Sequence, residues 1–218
     1  MRIFCFTDFH GDEDTYRKAA KLINGSTPDL VLLAGDIADF SIPRARTCLG
    51  HLDAAEIRTF YVPGNMDSPQ LADHVKLPNV TPVHAKCEKI GDYELIGLGG
   101  AVTGPFATPF EYGEDEAARL LGRALQGYQQ GPILLLSHCP PKNTKVDETR
   151  AGVHAGSLSV RDFIERHRPI LTVSGHIHEA RGTSMLQNTV LVNPGPAYNG
   201  NYGEITLNAS VKVQLATF

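Results

Sequence analysis

Short apolar segments that end in a turn containing aspartate, asparagine or histidine recur along this chain. In the first third, residues 2–7, 30–33 and 59–62 read as buried strands, and residues 12–23 and 42–55 between them carry helical patterns. Strands and helices that alternate in this way favour a parallel sheet with right-handed crossovers. This alternation therefore predicts an α/β fold.

The middle of the chain breaks the strict alternation. Residues 86–90 and 93–98 flank Gly91-Asp92, which predicts an antiparallel hairpin. Several short strands with Asn-Pro-Gly and Asn-Gly turns follow Thr183. We therefore expect one α/β domain over residues 1–218 with at least one mixed sheet. The remaining predicted elements are a helix at 114–128, a strand at 133–136, a helix at 158–167 and a strand at 170–173.

The composition limits the classes of protein to which this chain can belong. The chain has 218 residues, of which 42% are hydrophobic, so it can bury a core without disulfides or a structural metal to stabilise it. A net charge of −4 gives no strong nucleic-acid signal. We see no secretory signal and no apolar run of membrane-spanning length, so we expect no membrane partner and a cytoplasmic location. There we also expect four free thiols, on Cys5, Cys48, Cys87 and Cys139.

Five predicted strands lead into turns that carry metal-ligating side chains. In α/β sheets, ligands bind in a cleft at the carboxyl ends of the strands, so these turns can meet there. Asp8 and His10 are two residues apart, so their side chains can point the same way as the chain leaves its strand. Carboxylate, imidazole and amide oxygen suit manganese, with iron, zinc, nickel or cobalt as alternatives. A carboxylate such as Asp36 can bridge two ions about 3.5–4 Å apart. The seven candidate ligands are Asp8, His10, Asp36, Asn65, His138, His176 and His178.

The order of these residues resembles the motifs of the calcineurin-like metallophosphoesterase superfamily. That resemblance implies a four-layer αββα fold, a β-sandwich of two mixed sheets flanked by helices. It also implies two divalent metal ions with Asp36 bridging: Asp8, His10 and His178 complete one site, and Asn65, His138 and His176 the other. The motifs are Asp8-x-His10, Gly35-Asp36, Gly64-Asn65-x-Asp67, His138 and Gly175-His176-x-His178.

One position departs from the family pattern. Many members carry histidine after the asparagine, where it protonates the leaving group or holds the phosphate, whereas this chain has Met66. Some prokaryotic members that act on phosphodiesters also lack that histidine. We expect Met66 at the substrate, and His154, in a Gly-rich segment before a helix, is a second candidate for substrate binding. Asp67 fits the family's acidic position, where it would support a ligand imidazole.

The expected function is a dinuclear-metal phosphoester hydrolase, specifically a phosphodiesterase that uses in-line attack by a metal-bound hydroxide on a small phosphoester. Alternatives are a phosphomonoesterase and a non-catalytic scaffold of the same fold. Scaffolds of that kind usually lose ligands, and this chain keeps all seven. A nuclease is disfavoured because no long basic or aromatic stretch is present, and a homo-oligomer is compatible with the sequence. We expect Asp36, Asn65, Asp67 and His138 to carry the catalysis.

Overall fold

The first strand shows how the sequence builds the layers of the molecule. In the computed structural model, which describes residues 1–218, Ile3 and Cys5 of this strand lie in one core and Phe4 and Phe6 in another. Successive residues of a strand point to opposite faces of its sheet. Both faces of this strand are therefore buried, which explains its unbroken run of apolar residues.

Fourteen strands and five helices make up the regular structure. The strands are β1 Arg2–Phe6, β2 Leu30–Ala34, β3 Thr59–Val62, β4 Val80–Pro82, β5 Cys87–Ile90, β6 Tyr93–Leu98, β7 Ala101–Val102, β8 Glu111–Tyr112, β9 Ile133–Ser137, β10 Leu171–Val173, β11 Gly182–Leu186, β12 Thr189–Asn193, β13 Asn201–Leu207 and β14 Val211–Thr217. The helices are α1 Glu13–Ser26, α2 Ile42–Asp53, α3 Leu71–His74, α4 Glu114–Leu125 and α5 Leu158–His167.

Two six-stranded mixed sheets pack face to face. The first has the order β14-β13-β1-β2-β3-β4, in which β1 to β4 are parallel and β13 and β14 are antiparallel additions. The second has the order β11-β12-β10-β9-β6-β5, with β6, β9, β10 and β12 parallel. Their facing sides enclose a core that includes Leu32, Phe60, Leu134 and Val173.

Helices cover the outer face of each sheet. Tyr16 and Ile23 of α1 and Leu49 of α2 pack against the first sheet, while Leu121 of α4 and Phe163 of α5 pack against the second. The layers therefore run helix, sheet, sheet, helix, which confirms the αββα fold expected from the resemblance. No helix combines the length and the apolar character that crossing a bilayer would require.

The sequence patterns located most elements within a few residues. The hairpin at Gly91-Asp92 and the parallel pairing of β1, β2 and β3 are confirmed. The predicted helix at 114–128 ends earlier, at Leu125, and α3, β4 and the β7–β8 pair were not predicted. These additions are two to four residues long, too short for a periodic pattern to reveal. All four cysteines are free, as expected.

A buried histidine that forms an isolated bridge with Gly97 of the second sheet gives a pH prediction. The Nδ1 atom of His84 accepts a hydrogen bond from the Gly99 amide at 2.9 Å, and the residue is only 7% exposed. Burial, aided by the charge of Arg123, lowers the pKa of His84 to about 4. The neutral ring therefore stabilises the fold fully above its ordinary pKa of 6.5, and this contribution is lost as the pH falls from 6.5 towards 4.

We expect His84→Asn, whose amide oxygen can replace Nδ1 as acceptor, to reduce the loss of unfolding free energy between pH 8 and pH 5. The contribution of His84 is lost only below pH 6.5, so about 1.5 units of the tested pH range count. The expected reduction is therefore about 2 kcal/mol. Urea unfolding of both proteins at the two pH values measures it, and titration of other residues cancels in the comparison. Equal pH dependence in the two proteins would show that His84 is not the titrating group.

Candidate metal centre

The strand ends of both sheets converge on one cleft. Asp8, Asp36 and Asn65 follow β1, β2 and β3 of the first sheet, whereas His138 and His176 follow β9 and β10 of the second. Backbone hydrogen bonds tie these loops together, since the Asp8 amide donates to Gly35 O at 2.9 Å and the Gly175 amide to His138 O at 3.0 Å. The structure thus brings together side chains that lie up to 170 positions apart.

One half of the centre contains four close ligand atoms. Asp8, His10, Asp36 and His178 each offer one nitrogen or oxygen, and these atoms all lie within 4.8 Å of one another. The Nε2 atoms of His10 and His178 are 3.3 Å apart, and His178 Nε2 is 3.5 Å from Asp8 Oδ1. This arrangement has the size and donor set of a divalent cation site.

The other half contains the remaining predicted ligands. His138 Nε2 lies 2.8 Å from Asn65 Oδ1, and the ring centroids of His138 and His176 are 5.1 Å apart. Asp36 reaches both halves, because its Oδ1 is 3.6 Å from His138 Nε2 and its Oδ2 is 3.6 Å from His10 Nε2. The two oxygens of one buried carboxylate therefore face two different groups of ligands.

Hydrogen bonds on the far side of three imidazoles orient their Nε2 atoms inward. His138 Nδ1 lies 2.7 Å from the Ala34 carbonyl, and His10 Nδ1 lies 2.8 Å from Asp39 Oδ1. Because a carbonyl or carboxylate oxygen only accepts, each Nδ1 carries the proton, and in the neutral ring Nε2 is a bare lone pair. His178 Nδ1 lies 3.0 Å from the hydroxyl of Tyr198. Ligand imidazoles in metal sites are held in this way.

A second chain of hydrogen bonds orients the amide of Asn65. Asn65 Nδ2 donates to Thr108 Oγ1 at 3.0 Å, and that hydroxyl donates to Glu111 Oε1 at 2.5 Å. The amide oxygen must therefore face His138 Nε2, so two acceptors meet at 2.8 Å. A cation between or beside them removes this repulsion, which shows that the residues fit a metal ion.

The buried charges of the centre also call for a cation. Burial and the charge of Asp8 raise the pKa of Asp36, although His138 and His10 oppose them. Burial opposes ionisation of His10, but Asp39 and Asp36 raise its pKa to about 9. A divalent cation stabilises such carboxylates and replaces the proton on a ligand imidazole. Burial, with a contribution from His138, lowers the pKa of His176 to about 3, so this ring is a neutral ligand at pH 7.

Four of the seven predicted ligands have left-handed backbone conformations. The φ angles are 53° at Asp8, 49° at His10, 50° at Asp36 and 67° at His176. Asp8 and His10 point into the same half of the centre, as expected, but they do so from left-handed residues and not as alternate residues of an extended chain. Both lie in a left-handed turn after β1, a conformation that costs about 1–3 kcal/mol at each non-glycine residue and clusters at functional sites.

Glycines before the ligands allow the loops to touch. A Cβ on Gly64 would overlap the Asp36 carboxylate and backbone, and one on Gly175 would overlap Thr7 Oγ1 and lie 2.8 Å from Asp8 Oδ2. The absence of a side chain at Gly64 lets two loops of the first sheet approach each other, and its absence at Gly175 lets loops of the two sheets do so. This close approach between loops accounts for both glycines.

Asp67 supports the centre differently from the expectation. Its carboxylate accepts hydrogen bonds from the amides of Ile37, Ala38 and Gly64 at 2.8–3.0 Å and contacts no ligand imidazole. It is fully buried, and burial together with the charge of Asp36 raises its pKa to about 6. Asp67 therefore holds the loop after β2 against the loop after β3, and it positions Asp36 through the backbone.

The two predicted substrate residues have different positions. Met66 lines the cleft beside Asp36 and Asn65, and its amide donates to Asp36 Oδ1 at 2.9 Å. His154 does not line the cleft, although its neighbour Ala155 does. Its Nδ1 is instead 2.8 Å from Asp147, a fully buried carboxylate that organises its loop. The structure therefore does not bring His154 to the metal centre.

Sequence reasoning missed the residues that orient the ligands. Asp39, Thr108 and Tyr198 lie outside the strands and α-helices and contact the ligands only through the tertiary fold. Glu111, the first residue of β8, acts on Asn65 through Thr108. Asn193-Pro194-Gly195 offered a partial signal for Tyr198, because this turn lies just before it in the chain. The side chain of Asn193 donates to Ile177 O at 2.9 Å and so fixes the loop that carries two ligand histidines.

The hydrogen-bond chain to Asn65 predicts an effect on metal affinity. We expect Thr108→Val, which removes the hydroxyl but keeps the shape, to weaken manganese binding about 10- to 100-fold, as loss of an outer partner of a metal ligand does. Calorimetric titration of metal-stripped protein measures the change. Thr103→Val is the matched control, because Thr103 is on the same segment and its hydroxyl makes no hydrogen bond within the protein. Equal affinity in both variants would contradict the role of Thr108.

Comparison with known proteins identifies the family of the chain. Residues 40–218 match the model of the family described as metallophosphoesterase, calcineurin superfamily. Fold, centre and family match together define a metal-dependent phosphoester hydrolase. The chain belongs to the calcineurin-like metallophosphoesterase superfamily. The motifs around Asp8 and Asp36 precede the matched range, and the structure supplies their place in the centre.

The chain is also similar in sequence to one archaeal protein and in fold to two solved structures. An uncharacterized protein of Methanocaldococcus jannaschii is 32% identical over 202 residues, which cover 90% of this chain and 88% of that protein. A dimetal phosphatase from Danio rerio superposes with a TM-score of 0.67 at 11% identity, covering 100% of this chain and 96% of that one. A structure described as a novel archaeal phosphodiesterase gives a TM-score of 0.58 at 14% identity, with full coverage of both chains. These two structures share the fold.

Proposed function

We propose that the protein hydrolyses phosphodiesters at a centre of two divalent ions, with manganese as the native metal. The seven ligands are those expected from the sequence, with Asp8, His10 and His178 on one side of Asp36 and Asn65, His138 and His176 on the other. The support for two ions is the orientation of Asp36, whose Oδ1 and Oδ2 lie 3.6 Å from imidazoles of different halves.

A pair of ions held there would activate a water molecule and neutralise charge on the phosphoryl oxygens during in-line displacement. The residues of the chain hold this arrangement. The Asp36 carboxylate sets the separation of the two halves, and the Asn65 amide is fixed by Thr108. His138 is fully buried and its Nδ1 is bound to Ala34 O, so its ring is held in one orientation.

The observation that favours a diester is the lining of the cleft above the centre. It includes Met66, and it has no lysine, no arginine and no histidine outside the ligand set. A phosphomonoester carries close to two negative charges near neutral pH, and a diester carries one. The part of the cleft directly above the centre has no additional cation or imidazole to bind the second charge of a monoester, so it is better matched to the diester.

The same lining bears on the proton that the leaving group needs. Methionine has no proton to give, and Glu179 is the only titratable side chain in this lining outside the ligand set. Diesters with good leaving groups, and strained cyclic diesters, do not require a strong general acid. The proposed substrates are therefore small diesters of these kinds.

The test compares hydrolysis of bis(p-nitrophenyl) phosphate and p-nitrophenyl phosphate by manganese-loaded protein, with chelator-treated protein as the control. We expect kcat/KM to favour the diester by at least about tenfold, which corresponds to about 1.4 kcal/mol, and activity to vanish in chelator. A preference for the monoester would identify a phosphomonoesterase instead. Metal binding without hydrolysis of either ester would indicate a scaffold.

A further inference from the structure

A side lobe of the cleft begins at Asn65 and His176 of the metal centre, and none of its other wall residues is a candidate metal ligand. It encloses about 380 Å³, and the lobe above the centre encloses about 390 Å³. The two lobes share part of their walls and therefore adjoin each other. The shared residues are Asn65, Phe106, Thr108, Thr149, Ala155 and His176.

The walls of the side lobe are largely apolar. Val102, Pro105, Phe106 and Val153 line it, and two of these side chains are open to solvent, with Phe106 85% exposed and Val153 58% exposed. Exposed apolar side chains at a cleft are typical of binding sites. An aromatic ring held against Phe106 would cover part of this surface and stack on its face.

The side lobe also contains one free cation. Lys142 lines it, and the only lysine of the chain that forms an ion pair is Lys86, with Asp73. The single carboxylate in the lining, Glu111, already accepts hydrogen bonds from the amides of Gly104 and Thr108 and from the Thr108 hydroxyl. The Lys142 ammonium is therefore available to a negatively charged group of a ligand.

We infer that the side lobe binds the organic group of the phosphoester, and that this group contains an aromatic ring, as a nucleoside does, and a second negative charge. This assignment rests on the proposed function and specifies its substrate class. The scissile phosphate lies at the metal centre, the ring lies against Phe106, and the second anion pairs with Lys142.

Three probes that share one phosphate group test the assignment by calorimetry on manganese-loaded protein. They are methyl phosphate, thymidine 5′-monophosphate, which adds a ring, and thymidine 3′,5′-bisphosphate, which adds a second anion. Stacking of a base on an aromatic side chain is worth a factor of roughly 5 to 150. We expect each added group to tighten binding about tenfold, within the range that a stacked base or a charge-assisted contact contributes.

Two variants separate the two contacts. Phe106→Ala should abolish the gain from methyl phosphate to the monophosphate, and Lys142→Met should abolish the gain from the monophosphate to the bisphosphate. Tyr128→Ala and Lys145→Met are the matched controls, because neither residue lines the cleft. Chromatography of the recovered nucleotide checks that it has not been hydrolysed during the titration.

The outcomes distinguish this assignment from the proposed function. Equal affinity of the wild-type protein for all three probes would overturn the assignment. It would also be overturned if each of the two variants lost the same affinity for every probe. The predicted pattern of affinities in a protein that hydrolyses no ester would instead retain the side-lobe assignment and overturn the hydrolytic function.

Discussion

Asp36→Asn is expected to reduce kcat/KM for a diester more than replacement of any other ligand. Loss of one electrostatic stabiliser in an active site typically costs about 10²–10³ in kcat. Asp36 faces both halves of the centre. The fall in kcat/KM when it is replaced should therefore exceed the upper end of that range, at more than about 10³-fold. The measurement is hydrolysis of bis(p-nitrophenyl) phosphate with saturating manganese.

The asparagine variant should still fold. Its amide oxygen can accept the hydrogen bond that the Met66 amide now donates to Asp36 Oδ1. Thermal unfolding of the metal-stripped proteins checks this point. Asp8→Asn is the matched comparison, because Asp8 is equally buried and belongs to one half of the centre. Near-full activity in Asp36→Asn, or a larger loss in Asp8→Asn, would show that Asp36 does not serve two ions.

Met66→His is expected to raise turnover on alkyl phosphodiesters more than on aryl phosphodiesters. An alkoxide is a poor leaving group and needs a proton in the transition state, whereas an acidic phenol does not. General acid catalysis contributes about 10²–10⁴-fold where it is needed, and we expect the lower end, about 10²-fold, from a newly introduced side chain. Because Met66 lines the cleft, an imidazole at this position would have access to the substrate.

A series of diesters graded by leaving-group pKa, run on both proteins, measures the effect. Met66→Asn is the control, because asparagine is polar but does not titrate. If the wild-type protein shows no dependence on leaving-group pKa and the histidine variant changes nothing, a proton donor is present elsewhere. Glu179, which lines the cleft, would then be tested first, since His154 lies outside it.

Much of the fold followed from local patterns in the sequence. The bare apolar runs of β1, β2 and β9 predicted buried strands, and they are buried on both faces. Residues 158–167 were predicted as a helix and form one over the same residues. The packing of two mixed sheets came from the family resemblance, because the pairing of β1 with β13 joins segments about 200 residues apart.

The grouping of the seven candidate ligands in one cleft was also accessible from the sequence, because each of them follows an apolar strand. The geometry was not accessible. The left-handed turns at Asp8 and Asp36 depend on backbone hydrogen bonds between separate loops, such as the one from the His10 amide to Asp36 O at 2.9 Å. The contact of Asp67 with three amides depends on the same loop packing. Such long-range contacts leave no periodic signal in the chain.

The most direct test of the dinuclear centre is its metal content. The protein is stripped with chelator, reloaded with manganese, freed of unbound metal by gel filtration and analysed for metal and protein together. The proposed function predicts close to two manganese ions per chain, and at most one in Asp36→Asn. One ion or none in the wild-type protein would contradict the two-ion centre on which the proposed function rests.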